Sequence, residues 1–290
     1  MQLRQLGPNG PLVGAIGLGI NPLASFTDRP SLQDAIRVLV HSAELGVTLW
    51  DTADAYCLDD TDIGYGEWLP ADAVAELPAD LREQVIIATK GGTVRPQGGW
   101  EQDGSPAHLE KAIEASLKAL RTERIDLYQL HAPDKKVPFA DSIGALAKAQ
   151  QQGKIRLIGL SNVSVEKIEE ALEIAPIASV QNSYGLGYPG PERDKVLNKC
   201  RELGLAFLAH SPFGGVHGAK KIGETEVLRA VAQELEVSPY QVTLAWMMKK
   251  YDRLIPIPGV SRIASMEDCA RADSLILTDE QQARLENATN

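Results

Sequence analysis

A short apolar run followed by a stretch with apolar residues at helical spacing recurs eight times along the chain, and this alternation restricts the fold more than any single motif. The apolar runs read as strands at Ala15–Ile20, Val47–Asp51, Val85–Thr89, Ile125–Leu130, Ile155–Leu160, Ser179–Gln181, Ala206–Ala209 and Leu254–Ile257. Helices are expected at Ser31–Leu45, Ile63–Glu76, Pro106–Leu120, Phe139–Gln151, Val165–Ile174, Pro191–Leu203, Glu226–Leu235 and Pro239–Tyr251. Ser31 supplies a helix cap and Gly46 a stop, whereas Ile63–Glu76 is interrupted by Gly64, Gly66 and Pro70. Ahead of the repeat, Leu3–Leu6 and Leu12–Val13 flank Gly7-Pro8-Asn9-Gly10 and read as a β-hairpin, in which Asn-Gly supplies positive φ at low cost.

Such an alternation builds either a closed (β/α)8 barrel or an open doubly wound sheet. The count of strands favours the barrel. An open dinucleotide-binding sheet should carry G-x-G-x-x-G between its first strand and helix, but Gly14-Ala15-Ile16-Gly17-Leu18-Gly19 has the wrong spacing and lies on the strand itself. Those glycines suit tight packing at a barrel strand. The expected fold is an α/β (β/α)8 TIM barrel, a single domain over residues 1–290, with an N-terminal β-hairpin and extra helices.

The 25 Gly and 17 Pro residues are scattered, so no linker divides the chain. A net charge of -10 argues against nucleic acid or an anionic membrane as the main partner, while leaving room for a local basic pocket. Cys57, Cys200 and Cys269 lack the paired spacing of a zinc site or redox dithiol, and the five histidines include no pair at ligand spacing. No structural metal is expected. Nor does any charged segment lead into an apolar export signal, or any run of apolar residues reach membrane length. The reading is a reduced, cytoplasmic protein.

In a barrel of this kind the working groups come from the carboxyl ends of the strands. The second strand ends on Asp51 and leads to Tyr56, the third leads to Lys90, and the fourth to His131. The fifth ends in Ser161-Asn162, the sixth in Gln181-Asn182 and the seventh in His210-Ser211. Any one of these has an ordinary explanation as a cap or a solvated side chain. Four ionisable groups at the same end of three successive strands would converge on one spot.

With those residues in view, the chain resembles an aldo-keto reductase over nearly its whole length. The shared stretches are Asp51-Thr-Ala-Asp-Ala-Tyr56, Thr89-Lys90-Gly91, Ser116-Leu-Lys-Ala-Leu120, Ile125-Asp-Leu-Tyr-Gln-Leu-His131, Gln152-Gly-Lys154, Gly159-Leu-Ser-Asn162, Val180-Gln-Asn182 and Ile255-Pro-Ile-Pro-Gly259. The resemblance implies a catalytic tetrad of Asp51, Tyr56, Lys90 and His131, and NAD(P)H-dependent reduction of an aldehyde or ketone to the alcohol. It implies that Ser161, Asn162 and Gln181 hydrogen-bond the nicotinamide carboxamide, that His210 stands where relatives often stack a Tyr on the ring, and that Ser211, Pro212, Phe213, Gly214 and Gly215 line the pyrophosphate. The adenosine end would fall on Gly259, Ser261, Arg262, Ser265, Asp268 and Cys269, with Cys269 in place of the usual Asn. Arg262 is the cation placed to meet a 2′-phosphate, which favours NADPH, with NADH as the alternative cofactor. Trp100 and Cys57 are expected at the substrate pocket. The run from Gln150 through Tyr184 is similar to the branch that includes pyridoxal reductases, so a pyridoxal-type reductase is one specific reading. The partner is a small carbonyl substrate, handled by a monomer or a homo-oligomer.

The chemistry is coherent on its own terms. Hydride addition to a carbonyl carbon leaves an alkoxide-like oxygen that needs a proton donor within reach. Lys90 would lower the Tyr56 pKa, Asp51 would hold the ammonium charged, and His131 would orient the carbonyl oxygen. Two rivals remain at this stage: a Schiff-base barrel lyase with neutral Lys90 as nucleophile, and a non-catalytic cofactor-binding subunit.

Overall fold

The computed structural model describes residues 1–188, 192–219 and 221–288. Among the described residues there are twelve strands: β1 (Leu3–Gln5), β2 (Leu12–Gly14), β3 (Leu18–Gly19), β4 (Leu49–Asp51), β5 (Ile86–Gly91), β6 (Thr93–Val94), β7 (Glu101–Gln102), β8 (Ile125–Leu130), β9 (Ile155–Ser161), β10 (Ile177–Ser183), β11 (Ala206–His210) and β12 (Leu254–Ile257). Eight of them form one parallel sheet in the order β12-β11-β10-β9-β8-β5-β4-β3. Backbone bonds from Gly17 N to Pro256 O (2.9 Å) and from Gly19 N to Pro258 O (3.0 Å), with a bridge between Gly19 and Gly259, bring its two ends together as a barrel. Room for that seam comes from missing side chains: a Cβ at Gly17 would stand 2.9 Å from Ile257 Cγ2 and 3.0 Å from Leu49 O.

Period-2 alternation along the strands sorts side chains into an inner and an outer set. Leu49, Ile86, Ala88, Leu127, Ala206, Leu208, Ile255 and Ile257 cluster inside the barrel, together with Leu6 and Val13 of the hairpin β1–β2, which plugs the amino-terminal end. Arg4 fastens the plug by donating to the carbonyls of Tyr251, Leu254 and Met248. With the floor sealed by apolar residues, the same inward parity puts Asp51, Lys90, Gln129, Gln181 and His210 at the open carboxyl end.

The outer set, including Trp50, Tyr128, Leu130, Ile158 and Phe207, meets the helices in the main core. Helix Leu32–Glu44 begins where Ser31 Oγ accepts from Asp34 N and buries its apolar stripe on the barrel. Trp50 Nε1 donates to Ser42 Oγ and Val47 O, which fixes the strand that carries Asp51.

Two sequence expectations change and one falls partly outside the described residues. The strand expected over Ala15–Ile20 shrinks to Leu18–Gly19, because β2 runs to Gly14 and the chain bends at Ala15 and Ile16 to pass from plug to barrel. The interrupted helix forms over Tyr65–Glu76 with Pro70 inside it, starting two residues later than expected because Gly64 adopts φ 87°. The helix expected from Pro191 is described from Glu192 to Leu203, Pro191 itself lying outside the described residues. The additional helices expected around the barrel include Ile263–Arg271 and Asp279–Asn287. No described helix is long and apolar enough to cross a membrane.

Candidate active site

At the carboxyl end of the barrel, Lys90 is wholly buried, and its ammonium donates to Asp51 Oδ2 at 2.6 Å, Thr52 O at 2.9 Å and the Tyr56 hydroxyl oxygen at 3.1 Å. Strands β4 and β5 pair in parallel with Asp51 beside Ala88, which sets the carboxylate against the lysine two residues further along. The other carboxylate oxygen of Asp51 accepts from Gln129 Nε2 at 3.0 Å and Gln181 Nε2 at 2.7 Å. Both lone-pair sides of the buried anion are thus occupied, as a charge removed from water requires.

Burial opposes the charge on Lys90 more than any single neighbour favours it, but Asp51 and Tyr56 together more than offset it and the pKa rises from its ordinary value. The lysine is a fixed cation. Burial is also the largest influence on Tyr56 and raises its phenol, outweighing the pull of Lys90. This reverses the balance expected from the sequence, because the phenol lies in a drier place than a strand-end loop implies. His131 is driven well below its usual value by burial and by the charge of Lys90, so its ring is neutral near pH 7. It lies edge to face with Tyr56, ring centroids 5.7 Å apart, and its Nδ1 is buried without a hydrogen-bond partner.

Tyr56 is held in place by the start of the helix Tyr65–Glu76. Gly66 N donates to Tyr56 O at 2.9 Å, and a Cβ at Gly66 would come within 2.7 Å of Tyr56 Cβ, so only glycine allows this approach.

A cavity of about 390 Å³ opens above these groups. Asp51, Tyr56, His131, Ser161, Asn162, Gln181, His210, Ser211, Pro212, Phe213, Gly215, Gly259 and Trp100 all line it, with Lys90 beneath them. Asn162 reaches this wall from φ 57°, its amide donating to His131 O and Ser161 Oγ while His210 Nε2 stands 3.4 Å from its oxygen. His210 is neutral too, lowered to about 4 by burial and by Lys90.

Residues 15–290 match the model of the aldo/keto reductase family. The chain belongs to the aldo/keto reductase family. It is 31% identical over 291 residues to a probable aldo-keto reductase 1 of Glycine max, covering 91% of this chain and 82% of that protein. The crystal structure of a thermostable aldo-keto reductase in complex with the inhibitor epalrestat is similar, with TM-score 0.84 and 28% identity over 99% of this chain and 100% of the other. A Klebsiella pneumoniae aldo/keto reductase in complex with NADP and acetate has the same fold, with TM-score 0.82 at 23% identity, covering 100% of this chain and 96% of that one.

In this aldo/keto reductase, several expected positions stand off the cavity wall. Cys57 is fully buried, and its thiol, raised to about 11 chiefly by burial, faces Ala55 O rather than the pocket. Cys269 is also buried in the main core, and burial raises it to about 12. Asp268 accepts from Ser238 Oγ and Gln241 Nε2, both at 2.6 Å, at the start of the helix Pro239–Lys250. Gly214, Ser261, Ser265 and Arg262 likewise lie off the wall, Arg262 as the exposed N-cap of the helix Ile263–Arg271.

The cavity also recruits residues that motif reading did not single out: Asn21, Pro22 and Phe26, on the loop and short helix after β3. Nothing periodic marks them. Gln129 was visible in principle, since it lies two residues before His131 and therefore shares the inward face of β8. Outside the barrel, Glu67 accepts from Thr89 Oγ1 at 2.6 Å, and burial lifts its carboxyl to about 7. Burial and the charge of Glu67 also push the neighbouring Asp54 well above the carboxylate range. Neither lines the cavity. Among the described residues no cluster of His, Cys, Asp and Glu could hold a metal ion.

Proposed function

We propose that the protein reduces aldehydes or ketones to alcohols with NADPH, Tyr56 acting as the general acid. The observation that carries this reading is the contact of a buried, charged Lys90 with both Asp51 and the Tyr56 hydroxyl, at the floor of a cavity that His131 also lines. The residues fit a nicotinamide: Ser161, Asn162 and Gln181 offer uncharged hydroxyl and amide groups on the ends of the adjacent strands β9 and β10, in the same cavity as the phenol. When bound, the cofactor supplies the hydride.

The protein's own part is to place the carbonyl oxygen between Tyr56 and His131 and to deliver a proton to it. With its proton on Nε2, neutral His131 donates a hydrogen bond that orients the oxygen and favours its growing negative charge. A phenol whose pKa is raised by burial is fully protonated at neutral pH, so the acid is always loaded. An alkoxide is a far stronger base than a phenolate, so the proton moves from Tyr56 to the substrate oxygen without further help. The tyrosinate left behind is stabilised by Lys90 at 3.1 Å, and water then restores the phenol proton.

A lysine kept charged by Asp51 has no neutral amine with which to begin Schiff-base chemistry, so the lyase reading loses its nucleophile. The test is a panel of carbonyl compounds, including pyridoxal, incubated with NADPH and separately with NADH. Loss of the reduced-nicotinamide absorbance with formation of the matching alcohol is expected. Absence of turnover on every aldehyde and ketone, with NADPH bound, would overturn the reading.

A further inference from the structure

Arg95 is a buried guanidinium, 5% exposed, whose hydrogen-bond partners are all backbone carbonyls. Nε donates to Gly99 O at 2.9 Å, Nη1 to Ala55 O at 3.2 Å and Cys57 O at 2.6 Å, and Nη2 to Leu58 O and Gly98 O, both at 2.9 Å. A guanidinium has five N–H donors, and these five bonds use them all. Three carbonyls flank Tyr56 in the chain, and two immediately precede Trp100.

The base of the second loop is held by Thr93 Oγ1 donating to Gln102 Oε1 at 2.9 Å, Gly104 N to Asp134 Oδ2 at 3.0 Å and Ser142 Oγ to Gly104 O at 2.6 Å, but its tip has less support. The loop's only ladder is β6 with β7, two residue pairs long, and so short a hairpin is marginal alone. Its tip carries Gln97 at φ 52° and Gly98 at φ 79°. Trp100 is 50% exposed, yet its ring is held on one side by Arg95, whose guanidinium carbon stands 4.0 Å from the ring centroid. The same ring meets Tyr56 edge to face, centroids 6.5 Å apart. Arginine thus binds the loop of the proposed acid to the loop of an aromatic cavity wall, and stacks on that wall itself.

We propose that Arg95 is a positioning residue that locks the Trp100 loop to the Tyr56 loop before substrate arrives, making Trp100 a rigid wall against which flat aromatic carbonyl compounds are held. This rests on the reading of Tyr56 as the acid. A wall already in place spares the substrate the ordering of a loop on binding, and the gain belongs to substrates large enough to touch it. Lysine at this position keeps the charge but cannot reproduce the fork.

The lock is tested in the full chain by amide hydrogen exchange, comparing wild type with Arg95→Lys. Faster exchange is expected in residues 55–58 and 96–100 together, and unchanged exchange in either segment would overturn the lock whatever the activity. Its consequence is tested by kcat and KM for benzaldehyde and for propanal in wild type, Arg95→Lys, Trp100→Ala and the double variant. Arg95→Lys should raise KM for benzaldehyde roughly tenfold with KM for propanal little changed, while any loss of kcat from a looser Tyr56 loop falls equally on both aldehydes. In KM for benzaldehyde the double variant should fall within about twofold of Trp100→Ala, since both changes remove one wall. Equal changes of KM for the two aldehydes, or changes of KM that multiply in the double variant, would overturn the positioning role. A wild type inactive on both aldehydes and on the wider carbonyl panel would instead overturn the carbonyl reductase reading, and the exchange result would still decide the lock.

Discussion

Thr52 Oγ1 donates a hydrogen bond to Gly66 O at 2.5 Å, and Gly66 is the residue whose carbonyl loses its helical partner because Pro70 has no N–H. A helix that should break at its proline is thereby completed from the neighbouring strand end. The backbone carbonyl of the same threonine accepts from Lys90, so one residue ties the helix that holds Tyr56 to the lysine beneath it. Thr52→Val keeps the shape and removes the donor, leaving a buried carbonyl unpaired at a cost of about 1–3 kcal/mol. Urea unfolding should show that loss, and Thr52→Ser should recover most of it. A valine variant as stable as wild type would mean that water or a helix shift satisfies Gly66 instead.

Tyr56→Phe removes the proposed acid while leaving Lys90 its bonds to Asp51 and Thr52. Turnover should fall by roughly 10²-fold or more, the range expected for loss of a positioned proton donor. NADPH affinity, followed by quenching of tryptophan fluorescence, should hardly change. A phenylalanine enzyme with near-normal kcat would remove Tyr56 from the chemistry and leave His131 as the donor to test next.

Arg262 stands exposed at the N-cap of the helix Ile263–Arg271 and lines no part of the cavity, so its proposed role is confined to the far, phosphorylated end of the cofactor. Arg262→Ala should raise KM for NADPH about tenfold, the loss of one charge-assisted hydrogen bond, and leave KM for NADH alone. Equal KM values for the two cofactors in wild type, unmoved by the substitution, would place the 2′-phosphate elsewhere.

What could be seen in the sequence followed from periodicity and strand ends. Polar strand terminations pointed to Asp51, Lys90, His131, Ser161, Gln181 and His210 at one mouth, because a parallel barrel fixes which end of each strand faces the cavity. Direction of a side chain within a helix or loop was not legible in the same way. Cys57 follows Tyr56 directly, yet its thiol is buried against Ala55 O, off the cavity wall, where the backbone of residues 55–58 curls around Arg95. Cys269 and Asp268 lie on a helix whose inner face is set by packing against the helix Pro239–Lys250, which no local pattern reports. Arg95 itself looks like one more polar loop residue until the five carbonyls around it are seen.

Glu67 is a buried acid whose replacement should change how stability depends on pH. Burial holds its carboxyl up to about 7 against an ordinary 4.5, the hydrogen bond from Thr89 pulling the other way without prevailing. Between about pH 5 and about pH 7 the folded protein therefore keeps a proton that the unfolded chain has released. The unfolded state binds fewer protons there, so the contribution of this group falls as pH rises through the window and levels off above it. Below the unfolded value both states are protonated and the effect vanishes. The gap between the two values, at 1.36 kcal/mol per pH unit, corresponds to roughly 3 kcal/mol. Glu67→Gln keeps an oxygen for Thr89 but cannot ionise, and it relieves Asp54 of a like charge, which acts in the same direction. Urea unfolding of both proteins should show the variant gaining on wild type by roughly that amount between about pH 5 and about pH 8. A stability difference that stays constant across this range would mean that Glu67 ionises as an ordinary carboxylate, despite being only 1% exposed.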